Sequence, residues 1–153
     1  MKIIVVVVPS LDLPLGDLIH TSALDNMLLA ERMAQVALGA IYGRAVAFRA
    51  PEIQSAQLHP DHANIILTFA PVTSRMDNPD LTNCCFAVRD AQGVAPVRQV
   101  TYPGNETICL ELERTIQGTS YVDGAPGLYP PPVPMDMERS MPMPAFYEVP
   151  VTS

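Results

Sequence analysis

The hydrophobic period of the chain changes once, near Ala50-Pro51, and that change limits what each side can fold into. Before it, apolar residues recur every three or four positions; after it, they come in short runs separated by turn residues. On the first side Met27, Ala30, Ala34, Ala37, Leu38 and Ile41 predict the buried face of a helix over about 22–42. Ser22 and Asp25 have the spacing of a capping box, with Asp a shorter substitute for Glu. Gly43 is placed to end the helix in a left-handed conformation. On the second side, runs near 54–58, 64–69, 84–89, 97–101, 107–112, 120–122 and 146–151 read as strands. Ile108, Leu110 and Leu112 alternate with Cys109 and Glu111, as in a strand with one wet face. Asp61, Asp77-Asn78-Pro79, Gln92-Gly93 and Pro103-Gly104-Asn105 supply turns between the runs, and the pattern predicts a β-sandwich.

Residues 3–8 are β-branched without polar alternation, the habit of a strand buried on both faces of a parallel sheet. The run is too short to span a bilayer and no small-residue cleavage site follows it, so it reads as a strand and not as an export signal. No second run of this kind occurs, so its sheet partners are expected outside this sequence, as if the chain began in the middle of a domain. At the other end, residues 126–150 hold eight of the 16 prolines. Such a stretch is expected to lack central strands and to lie as an ordered strap across the sandwich, with Tyr129, Met135, Met137 and Met141 buried.

Composition narrows the function. A chain that is 48% hydrophobic and 16% charged folds. A formal charge of −7 with 9 Lys+Arg leaves no basic face, so nucleic acid is not an expected partner, nor is a membrane. Three cysteines fit neither a disulfide framework nor a zinc ribbon, and leave the compartment open. His59-Pro60-Asp61-His62 with Cys84-Cys85 and Cys109 could suggest a metal site. Adjacent cysteines on a strand point to opposite faces, so the thiols are expected in the sandwich core and neither metal nor cofactor is expected.

The chemistry-bearing stretch is Asp17-Leu18-Ile19-His20, on a loop between the strand-like run and the helix. An acid three positions before a histidine can hold the imidazole in one tautomer, and the ring can then take a proton from a hydroxyl. Asp12, eight residues before His20, has no fixed geometry towards it and reads as a turn acid. The serine that would complete such a triad is not found. Ser10 follows the opening run but lacks the flanking Gly-Asp or Gly-Gln of a nucleophile turn.

Val5-Val6-Val7-Val8-Pro9, Asp12-Leu13-Pro14, Asp17-Leu18-Ile19-His20 and Glu31-Arg32-Met33-Ala34 through Leu38 to Tyr42-Gly43 resemble the last segment of sialate O-acetylesterase-like enzymes. These belong to the SGNH hydrolases, which also include acetylxylan esterases. The resemblance is clearest over residues 5–43. Pro142-Met143-Pro144-Ala145-Phe146 is similar to the closing motif of members that carry a β-sandwich after this helix. It implies an α+β chain: the C-terminal strand and helix of an α/β/α SGNH-hydrolase domain (1–48), then an all-β sandwich with a proline-rich strap (49–153). It also implies that His20 is the general base and Asp17 its orienter, in hydrolysis of acetyl esters on a carbohydrate. The family's Gly-x-Ser block and its Gly and Asn oxyanion donors are missing, so the chain alone is expected to be inactive. A complementing N-terminal esterase segment is then the expected partner. A non-catalytic β-sandwich binding module, or one half of a split esterase, is the alternative.

Overall fold

The computed structural model describes residues 5–17, 19–78, 80 and 82–153. The expectations for Ile3, Ile4, Leu18 and Pro79 lie outside these. Within them the chain is mixed α+β and mostly strand, with one helix near the start.

Helix α1 runs Ala23–Val36 and continues as a π-turn over Ala37–Ile41. Ser22 caps it as expected: its hydroxyl accepts from the Asp25 N–H while the Asp25 carboxylate accepts from the Ser22 N–H. At the far end the Tyr42 N–H reaches back to Ala37 O at 3.1 Å, a five-residue step that widens the last turn. Gly43 follows at φ 63°, letting the Arg44 N–H return to Leu38 O at 2.9 Å. The buried face is not the expected one. Met27 and Ile41 are each 70% exposed, and the half-buried side is Leu28, Leu29, Gln35 and Val36 around a buried Arg32. Two contacts choose that face: the ion pair made by Arg32, and Phe48, whose ring lies where any side chain at Gly39 would stand.

Eleven strands follow among the described residues. They are β1 Glu52–Leu58, β2 Asn64–Ala70, β3 Met76–Asp77, β4 Phe86–Asp90, β5 Gly93–Ala95 and β6 Val97–Gly104. Then come β7 Thr107–Leu112, β8 Tyr121–Gly124, β9 Met135–Asp136, β10 Met141–Pro142 and β11 Phe146–Thr152. Eight of them form one sheet in the order β5-β4-β8-β11-β1-β2-β7-β6. Its two end strands are joined through the single residue Pro96, so the sheet rolls back on itself almost to closure. The halves β5-β4-β8-β11 and β1-β2-β7-β6 meet at a short parallel pairing, Ala56 with Val151 and Gln57 with Thr152.

The core lies between the halves. Ile65, Leu67 and Phe69 of β2 face Leu110 and Ile108 of β7, and Phe86, Val88 and Val122 close it from the other layer. Each such side chain contributes about 1.5–3 kcal/mol of transfer free energy. Phe146 ties the layers, with its ring centroid 6.2 Å from Phe69 and 6.3 Å from Phe86. The alternation expected of Ile108, Leu110 and Leu112 holds.

Val5–Val8 join no sheet among the described residues, and Val5 is 83% exposed; the partners expected for this run lie outside the sequence. Three other expectations need correction. The proline-rich stretch does contribute a central strand, because β11 contains Pro150. The neighbouring Val151 N–H donates to Ser120 O on the β8 side, so position 150 would donate towards β1, where pairing begins only at Val151. In the strap, Val133, Met141 and Met143 are buried, but Tyr129 and Met137 are exposed. Of the cysteines, Cys85 is buried and its thiol is pushed up to about 12 by burial and by Cys84; Cys84 is exposed and Cys109 only half-buried.

Asp90, its carboxylate wholly buried, clamps the β4–β5 turn to the segment after β7. It accepts from Arg114 Nη1 at 2.6 Å and Nη2 at 2.9 Å, and from the N–H groups of Gln92 and Gln117 at 2.8 Å each. The Arg114 guanidinium, with those N–H donors, holds the carboxyl well below its ordinary value of 3.8. A carboxyl depressed in the folded state adds stability above its unfolded pKa and loses it as pH falls through the folded one. Asp90→Asn should therefore lower the urea midpoint at pH 7, and the gap to the unsubstituted protein should close as pH is taken below 3.8.

Candidate active site

Residues 15–21 form a closed loop ahead of α1. Leu15 and Thr21 make an isolated antiparallel bridge, and the Gly16 N–H donates to His20 O at 2.7 Å. Inside it Asp17 organises the chain. Its Oδ1 accepts from the N–H groups of Ile19 and His20, both at 2.8 Å. Its Oδ2 lies 2.8 Å from His20 Nδ1. The bond to the Ile19 N–H, then those to the His20 ring and N–H, hold the Asp17 carboxyl below 3.8, so it is ionised at neutral pH. The loop is joined to the helix by Thr21 Oγ1, which donates to Asn26 Oδ1 at 2.5 Å.

The two residues singled out by the sequence are thus brought into contact. A carboxylate on Nδ1 favours the tautomer with the proton on that nitrogen, which leaves the lone pair on Nε2. The site is open: the His20 side chain is 72% exposed and that of Asp17 59%. No hydrogen bond joins Ser10 to His20 among the described residues. Ser10 instead lines an open groove of 520 Å³ between the 10–15 loop and Leu128, Tyr129, Pro130 and Pro132 of the strap.

Sequence reasoning missed the pair that seats this loop. Asp12, read as a turn acid, is bidentate with Arg32, Oδ1 to Nη1 at 2.8 Å and Oδ2 to Nη2 at 2.6 Å. The Arg32 side chain is 1% exposed and that of Asp12 11%. Nη1 also donates to Pro9 O at 3.1 Å and Nη2 to Ser140 O at 2.5 Å, so one guanidinium holds the loop, the helix and the strap. Its Nε and the Oε1 of Gln35 are buried without a hydrogen-bond partner among the described residues. The available signal was position: Arg32 sits three and four residues from Leu29 and Leu28 and four before Val36, a charge on an apolar stripe.

No family model and no curated protein matches the chain. Among solved structures it is similar to a carbohydrate acetylesterase from Xanthomonas citri, at 17% identity and a TM-score of 0.65. The match covers 88% of this chain and 30% of that one. At this identity the likeness is one of fold, and the chain spans under a third of the length of the structure it matches.

The local bonds give a direct expectation. Long-range ¹⁵N correlation spectra at pH 8 should show His20 in one tautomer, with the proton on Nδ1. Asp17→Ala should shift the ring to a mixture and raise the exchange rates of the Ile19 and His20 amides by about tenfold or more, since both lose their acceptor.

Proposed function

We propose that this chain carries the acid–base half of a serine esterase that removes acetyl groups from carbohydrate, with the nucleophile supplied from outside residues 1–153. His20 is the general base and Asp17 its orienter. The observation that carries the reading is the 2.8 Å contact from Asp17 Oδ2 to His20 Nδ1, made by a carboxylate already fixed by two backbone N–H groups. The resemblance of residues 5–43 to sialate O-acetylesterase-like SGNH hydrolases supports it, as does the fold shared with a carbohydrate acetylesterase.

In this reading Nε2 of His20 takes the hydroxyl proton as the serine oxygen attacks the acetyl carbonyl, and it returns that proton to the departing sugar oxygen. Water then enters by the same route and releases acetate. Asp17 stays ionised throughout and stabilises the imidazolium. The depressed pKa of its carboxyl suits that role, because an orienting acid must not take the proton itself. The exposed apolar side chains Leu24, Met27 and Met33 on α1, Ile41 and Tyr42 after it, and Val5 and Val7 before it are surface that a complementing segment would cover. That segment would cover the dyad and bring the serine.

The purified chain should hydrolyse p-nitrophenyl acetate no faster than its His20→Ala variant, and a fluorophosphonate probe should leave it unlabelled. Labelling of Ser10, with turnover lost in His20→Ala, would place the nucleophile inside the chain and overturn this assignment.

A further inference from the structure

We propose that the strap turn 137–140 is the positioning element of the Asp17–His20 loop, linked to it by Arg32 and to the sandwich by Arg139. Calling the loop catalytic rests on the function proposed above; the mechanical link does not.

The turn joins β9 to β10 and is gripped from both sides. On the sandwich side Arg139 donates from Nε to Asp136 Oδ2 at 2.9 Å, from Nη1 to Arg49 O at 2.6 Å and from Nη2 to Pro71 O at 3.3 Å. The Asp136 carboxylate is wholly buried and also accepts from the Thr73 N–H at 2.6 Å. Burial pushes that carboxyl up, but the Thr73 N–H and the Arg139 guanidinium outweigh it and keep it below 3.8. On the other side Ser140 adopts φ 47°, a left-handed backbone that a serine holds only under constraint. In that conformation its carbonyl meets Arg32 Nη2. Arg32 passes the constraint to Pro9 O and to both oxygens of Asp12, at the root of the loop that closes through Gly16 and His20.

The arrangement is continuous, from Arg49, Pro71 and Thr73 of the sandwich through Asp136, Arg139 and Ser140 to Arg32, Asp12 and the dyad loop. Through this chain of contacts the sandwich sets where the imidazole stands. Arg32 and Arg139 are positioning residues here, since neither touches His20.

The test perturbs the strap and reads the loop. Amide hydrogen exchange is measured on the whole chain for Arg139→Met and Ser140→Pro; the latter forces φ to about −65° at an exposed turn and withdraws the carbonyl from Arg32. Both variants should raise exchange at Leu13 and Gly16 by about tenfold or more and broaden the His20 ring signals. Leu67 and Leu110 in the core should keep their protection. Local loosening at Glu138 and Met143, with Leu13, Gly16 and the ring signals unchanged, would overturn the proposal. If Arg139→Met fails to fold, Ser140→Pro decides alone, since it keeps the Arg139 side chain and strands no buried charge. The readout needs no turnover, so a negative hydrolysis result would bear on the function alone.

Discussion

The guanidinium of Arg32 is the constraint that fixes the N-terminal third of this structure. Burying a cation costs several kcal/mol, and a single ion pair barely repays it; the balance closes only with good geometry and further hydrogen bonds. Arg32 has both: a bidentate carboxylate and two carbonyl acceptors from separate segments. This explains why α1 turns an arginine inward while leaving methionines and an isoleucine in water. The apolar stripe would gain more by burial, yet nothing among the described residues lies against it, whereas the loop and strap offer Arg32 a matched set of acceptors. The Arg32 ion pair, together with the packing of Phe48 against Gly39, sets the helix orientation against the larger apolar stripe.

The dyad itself is built differently. Asp17 and His20 are joined by bonds that span two or three residues, so the short loop creates their contact locally and needs little from the rest of the fold. What the loop cannot create is the environment. An exposed carboxylate–imidazole pair is screened by water, and its effect on a reacting hydroxyl grows only when the site is covered and the local dielectric falls. The exposed apolar residues of the helix and the exposed dyad are two separate uncovered surfaces.

The sandwich was legible because its strands carry period-two burial and explicit turn residues. Each of the seven runs read from the sequence has its strand, and that at Thr107–Leu112 agrees to the residue. The short strands β3, β5, β9 and β10 were not legible, since pairings of two or three residues leave no period to detect. The contact of Asp17 with His20 was legible for the same reason that it is local. The partnership of Asp12 with Arg32 spans twenty residues and that of Arg32 with Ser140 more than a hundred, distances over which composition and spacing carry no register. The helix face was misread because an alanine-rich stripe and an arginine-centred stripe coexist on one helix, and only the tertiary partners choose between them. The run at Val5–Val8 pairs with no described strand, and its expected partners lie outside this sequence.

Whether Arg32 seats the loop is decided by a double-mutant cycle at positions 12 and 32, read by urea unfolding. If Arg32 and Asp12 hold the loop to the helix, Arg32→Met and Asp12→Leu alone should each cost about 3–5 kcal/mol, because each strands a buried charge. The double variant, with both charges gone, should recover most of that loss, giving a coupling above about 1.5 kcal/mol. Single losses that simply add, to within about 0.5 kcal/mol, would mean that the pair does not hold the loop and that another contact seats the dyad.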